Sequence, residues 1–233
     1  MKTPLGAERT QVMLKTLLPI GLFVAYILLQ FGAWDDATLC LYGDWESLRT
    51  HPWSLITYAL VHYSPIHLSP ILILLSVIIL LTKGKVSAGM YWLIFSCGVL
   101  SGALTFVIIA SLSASPTLAT LSGASGGTTA LMSFSIILLS RRGRRAMAIA
   151  LLALVIMTDH LTFSLHNTLG FYSHLSGYTL GIIFALIIIR RSDKSRKLVD
   201  CKESVISKAN SSGYNSLSEE EKNIIRNEEK HLD

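Results

Sequence analysis

Ser125 stands in the run Leu121-Ser122-Gly123-Ala124-Ser125-Gly126-Gly127-Thr128-Thr129, which carries no charge and little bulk. A serine hydroxyl is a weak nucleophile until an adjacent base takes its proton. His174, in Ser173-His174-Leu175-Ser176-Gly177-Tyr178-Thr179-Leu180-Gly181, is the candidate base, because imidazole exchanges its proton near neutral pH. Each residue opens a long apolar stretch and so sits at a helix start. The free N–H groups at the Ser125 helix terminus could stabilise an oxyanion. His62 and His67, in Ala59-Leu60-Val61-His62-Tyr63-Ser64-Pro65-Ile66-His67-Leu68-Ser69-Pro70, could donate to that oxyanion or to a substrate carbonyl. A plainer reading competes at each position. Gly123, Gly126 and Gly127 could serve only close helix packing, as could Ser173, Gly177 and Gly181 at i, i+4 and i+8, and histidines at helix starts could be simple interfacial residues. No embedded aspartate is available as a third member, so the chemistry would be that of a Ser125–His174 dyad. Metal binding is not expected: the five-residue spacing of His62 and His67 is not a same-face helical pair and no acidic or cysteine ligand is near. Cys40, Cys97 and Cys201 show neither metal spacing nor a disulfide framework. His160 and His166 read as solvated loop residues.

The elements that must position these groups are membrane helices. Of 233 residues, 51% are hydrophobic and 15% charged, against about 25% charged in a soluble domain, and the mean hydropathy is +0.52. From Val86 to Ser140 there is no charged residue and no histidine. A stretch of that kind cannot form a water-facing surface, so the bilayer is the solvent. The net charge of +5 would suit nucleic acid, but the cations gather in short clusters between apolar runs, which is a membrane pattern. Six spans are expected, over Leu14–Ala33, Ile66–Leu81, Ser87–Ala110, Ser125–Ser140, Ala146–Met157 and Tyr172–Ile189. With that number every basic cluster falls on one side: Lys2, Arg9 and Lys15; Lys83 and Lys85; Arg141, Arg142, Arg144 and Arg145; and Arg190 to Lys197. The acidic loop with Asp35, Asp36, Asp44 and Glu46 falls on the other, as does Asp159. The positive-inside rule then puts both termini in the cytoplasm.

The fourth span rises only about 24 Å at 1.5 Å per residue, less than a hydrocarbon core of roughly 30 Å. A helix ending at the cytoplasmic arginines must begin below the outer surface, and the loop Ser111–Ser122 must dip in to meet it, beside protein or water. Trp34, Tyr42, Trp45 and Trp53 make the first loop either an interfacial structure or a plain solvated loop. The organisation expected is a cytoplasmic N-terminus over 1–13, a membrane domain over 14–191 and a polar tail over 192–233. In the tail, Ser218 and Glu221 offer a capping box before Ile224 and Ile225, hence a short amphipathic helix.

Taken together, Gly123-Ala124-Ser125-Gly126 on span four, His174 with Gly177 and Gly181 on span six, and the His62–His67 pair before span two resemble the rhomboid family of intramembrane serine proteases. The resemblance covers roughly Trp45 to Arg191. It implies an all-α bundle of six transmembrane helices with cytoplasmic N- and C-termini, as in the common bacterial form, and hence a multi-pass protein of the bacterial inner membrane. It implies that Ser125 attacks the scissile carbonyl and His174 moves the proton. His67 and the Ser125 backbone N–H would hold the oxyanion, with His62, Gly123 and Gly126 positioning substrate, and Gly177 and Gly181 serving helix packing. Three positions depart from the family's pattern. Its asparagine four residues after the second histidine is Ile71, its aromatic four residues after the serine is Thr129, and its Trp-Arg pair is Trp53-Ser54. Losing one oxyanion donor costs on the order of 100–1000-fold, so Ile71 predicts a slow enzyme or an inactive homologue.

The function expected is an endopeptidase that cleaves transmembrane segments of other proteins within the lipid bilayer, with no cofactor and no nucleic-acid partner. The alternative is a catalytically silent relative that binds or escorts membrane clients. A transporter is disfavoured because the spans lack the embedded charges and paired broken helices that line such paths.

Overall fold

A computed structural model describes residues 5–112, 119–164 and 168–223. Six long helices fall where the apolar runs predict them: α1 (Leu5–Gln30), α5 (Pro65–Leu81), α6 (Ala88–Ser111), α7 (Ser125–Arg141), α8 (Arg145–Ser164) and α9 (Thr168–Ser212). Between α1 and α5 the first loop is folded into α2 (Asp36–Leu39), β1 (Leu41–Tyr42), α3 (Trp45–Thr50) and α4 (Ser54–Thr57), followed by a 3₁₀ turn over Tyr58–Leu60. Among the described residues α1, α6 and α9 are each long and apolar enough to cross a membrane, and α4 with its 3₁₀ turn joins α5 across a 95° bend to make a fourth such unit. This is a multi-pass integral membrane protein. α7 and the apolar part of α8 are shorter.

Local sequence sets these boundaries. Ser64 caps α5 by accepting from the His67 N–H, with Pro65 in the first turn, where its missing N–H costs nothing. Ser87 caps α6 in the same way through the Met90 N–H. α7 ends in a Schellman turn: Arg144 N–H donates to Leu139 O at 3.0 Å and Gly143 N–H to Ser140 O at 3.1 Å, with Gly143 at φ 75°.

α7 is the central helix, packed against α5, α6 and α8, while α1 lies against α5 and α6. Every residue from Gly126 to Ser135 is buried. Its hydroxyls are satisfied internally, by Ala124 O for Thr128, Gly126 O for Thr129 and Leu131 O for Ser135. A short helix carrying that many hydroxyls is stable at bilayer depth because protein surrounds it.

Two features depart from the sequence expectations. The fold is helical except for a two-stranded ribbon, in which β1 pairs antiparallel with β2 (Thr120–Leu121), Leu41 opposite Leu121 and Tyr42 opposite Thr120. The first loop is thus a built structure, with Trp34, Trp45 and Trp53 exposed on it. Trp53 Nε1 donates to Thr38 O at 3.0 Å and Thr57 Oγ1 to Leu39 O at 2.9 Å. Lys15 is not among the solvated cytoplasmic cations; it is fully buried, with Nζ 6.0 Å from the Tyr91 ring centre. The polar tail begins as a continuation of α9. Residues 190–212 contain neither Gly nor Pro, so α9 continues until Gly213, at φ 82°, stops it.

Residues Leu186–Asp233 form a separate compact unit. In it the capping box is made reciprocally: Ser218 N–H donates to Glu221 Oε2 at 2.7 Å and Glu221 N–H to Ser218 Oγ at 3.3 Å. Val205 and Leu217 are its buried residues. Ile224 and Ile225 lie outside the described residues, as do His166, loop residues 113–118 and the side chains of Asp159 and His160.

Candidate active site

Ser125 is the first residue of α7, half-buried, with Ala124 at the cap position and no side-chain cap. The N–H groups of that first turn have no partner within the helix. The chain reaches Ser125 under tight control. β2 is tied to β1, Gly43 N–H donates to Ala119 O at 3.0 Å, and Gly123 N–H donates to Tyr58 O at 2.9 Å. Gly123 has φ 99°, and a Cβ there would lie 2.9 Å from both Cε1 and Nε2 of His67 and 3.6 Å from Nε2 of His62. Only glycine meets both demands.

His62 is fully buried, and its Nε2 accepts from the Ala124 N–H at 3.3 Å. That bond assigns the lone pair to Nε2 and the proton to Nδ1, which faces Leu60 O at 3.4 Å. A neutral His62 in this tautomer braces the Gly123–Ala124 turn and has no N–H left to offer substrate. His67 is different. Its ring lies over Gly123, 5.1 Å from the His62 ring centre.

His174 lies in the second turn of α9 and is 7% exposed. Glycines bring α9 against the start of α7. A Cβ on Gly177 would overlap Thr129 Oγ1 and Gly126 O, and one on Gly181 would overlap Ala130 O and Ser133 Oγ. Ser133 Oγ also donates to Tyr178 O at 3.0 Å. Ser173, beside His174, puts its Oγ 3.3 Å from where a Gly126 Cβ would sit. On the other flank Gly98 and Gly127 let α6 approach equally closely, with Phe95 against Gly127. Ser125 thus opens α7 next to the Gly123 turn on which His67 lies, and Ser173 and Gly177, on either side of His174 in α9, pack against Gly126. Ile71 is buried in α5, one helical turn beyond His67. Thr129, at the position of the family's aromatic, fills the α7–α9 contact in its place.

The family model of the Rhomboid domain matches residues 49–191, which is more than half of the chain. The chain belongs to the rhomboid family. No curated protein matches it. The matched segment begins at Arg49 in α3 and ends at Arg191 in α9, so this rhomboid domain holds the histidine pair, the serine turn and the His174 helix together. Sequence reasoning missed Tyr58, whose carbonyl holds Gly123 and whose buried hydroxyl donates to Val99 O at 2.8 Å. Nothing in its sequence neighbourhood distinguishes it from the other loop aromatics.

Proposed function

We propose that this rhomboid is an intramembrane serine endopeptidase in which Ser125 is the nucleophile and His174 its general base. The observation that supports the reading is a serine at the helix N-terminus reached by a loop fixed by three hydrogen bonds, with His67 lying on that loop and the small residues flanking His174 packed against the same first turn. His174 takes the Ser125 proton as Oγ attacks the scissile carbonyl, then returns it to the leaving amine. Negative charge on the tetrahedral intermediate is met by the Ser125 and Gly126 N–H groups and by His67. His62 acts at one remove, holding Ala124 and so the direction of those N–H groups. The substrate is an extended stretch of another protein's transmembrane segment. No cofactor enters the cycle.

The same reading takes six spans with both termini cytoplasmic. The basic turns support it, since they lie together. Lys83 is 3.9 Å from Glu8 at the start of α1. Lys85 is held below the usual amine range, by partial burial first and then by Arg144 and Arg142. The bacterial inner membrane is the location that fits this arrangement. A second reading, a silent relative that binds membrane clients, is favoured only by Ile71.

Ser125→Ala removes one oxygen and should abolish cleavage of a transmembrane reporter while leaving the thermal transition of the purified protein unchanged. Cleavage by Ser125→Ala at the wild-type rate would overturn the mechanism.

A further inference from the structure

A groove of about 630 Å³ runs between α1 and α5, lined by no residue of the serine turn. Its walls are apolar, with Val12 and Met13 facing Ile79 and Leu80. The two hydroxyls along it offer little to a polar ligand: Thr16 Oγ1 is spent on Met13 O and Ser76 Oγ on Leu72 O. Its mouth carries two cations, Arg9 and Lys83, both exposed. Among the described residues one acidic group lies at the mouth, Glu8, 3.9 Å from Lys83. From Arg9 to Pro19 at the groove's end, α1 rises about 15 Å, which is half of a hydrocarbon core of roughly 30 Å.

We propose that this groove binds one anionic phospholipid of the leaflet on the Arg9 side, its phosphate between Arg9 and Lys83 and an acyl chain along Met13 and Leu80. Three features select that occupant. The depth is that of a single leaflet, so a lipid fits and a spanning partner helix would outrun the groove. The charge sits only at the mouth, where a headgroup lies, and is positive. Basic groups at such a level attract anionic lipid. A zwitterionic headgroup, with no net charge, gains little from the same pair. Glu8 offsets part of the attraction of Lys83, so the preference expected is about ten-fold. The site does not depend on the protease reading, because it shares no residue with the serine turn.

The test uses purified full-length protein in mild detergent, given equal amounts of palmitoyl-oleoyl phosphatidylglycerol and phosphatidylcholine, with bound lipids counted by native mass spectrometry. The wild type should retain one phosphatidylglycerol about ten-fold over phosphatidylcholine. R9Q/K83Q should lose that preference, and E8Q should increase it. R142Q/R144Q removes the same net charge elsewhere and should keep the wild-type preference. Met13→Trp, at a position already exposed, should block the groove with both cations intact and lower retention of the same lipid. Equal retention of both lipids by the wild type overturns the proposal. So does a loss in R142Q/R144Q as large as in R9Q/K83Q, or full retention by both R9Q/K83Q and Met13→Trp.

Discussion

Gly123 is held by two independent constraints, a left-handed backbone and a histidine ring where its side chain would be. The left-handed conformation alone costs a non-glycine residue about 1–2 kcal/mol, and His67 must also move. Gly123→Ala should therefore lower the thermal transition and, with His67 in the proposed oxyanion site, reduce cleavage by more than the lost folded fraction explains. A comparison of the cleavage rate per folded molecule checks this; a rate unchanged from wild type would remove His67 from the site. Ile71 carries the opposite prediction. Ile71→Asn should raise kcat with KM nearly unchanged, because a bond made mainly to the transition state acts on turnover. It should also cost about 1–3 kcal/mol of stability if the amide stays unpaired between turnovers. The glycines, Ser125 and the histidines could be picked out as candidates in the sequence because polar and small residues clustered at the edge of a long apolar run need an explanation. The division of labour within the histidine pair could not. It depends on a single hydrogen bond, from Ala124 N–H to His62 Nε2, that no spacing rule implies.

At the scale of elements, the α7–α9 contact is the weak point for substitution. Gly177→Val adds bulk directly against Gly126 O and Thr129. Overpacking of this kind costs roughly 1–3 kcal/mol. It should also lower activity, since it pushes α9 and His174 from the serine turn. A Gly177→Val variant with wild-type stability and activity would contradict the packing described. In the second unit, hydrogen bonds from Lys208 hold the Glu221 carboxyl below the usual carboxylate range. A carboxylate with a depressed folded-state pKa contributes stability above its ordinary pKa and loses it as pH falls through the depressed value. Protection of the amides over 218–223, taken relative to the intrinsic exchange rate at each pH, should be high at neutral pH and fall in that acid window, and Glu221→Gln should abolish that fall. Helix placement could be read from apolar runs, since a run of that length has one solution in a bilayer. The β1–β2 ribbon could not: two residues per strand give no periodicity. Nor could the burial of Lys15, whose sequence neighbours are those of an ordinary flanking cation.

For the whole molecule, the account requires a sidedness: serine turn outside, basic turns inside. Charge clustering in the sequence points to it, and the α1 start lies beside the α5–α6 turn, as a shared side requires. In a cysteine-free background, Asp36→Cys should react with an impermeant thiol reagent applied outside the cell and Arg142→Cys should not. The reverse pattern would invert the topology. The central claim is that Ser125 is activated, and the most direct measurement is labelling of the purified protein by a fluorophosphonate, which reacts with activated serines. The account predicts a single labelled residue, mapped to Ser125, lost in Ser125→Ala and strongly reduced in His174→Ala with the fold intact. A folded wild-type protein that labels no faster than Ser125→Ala would contradict it.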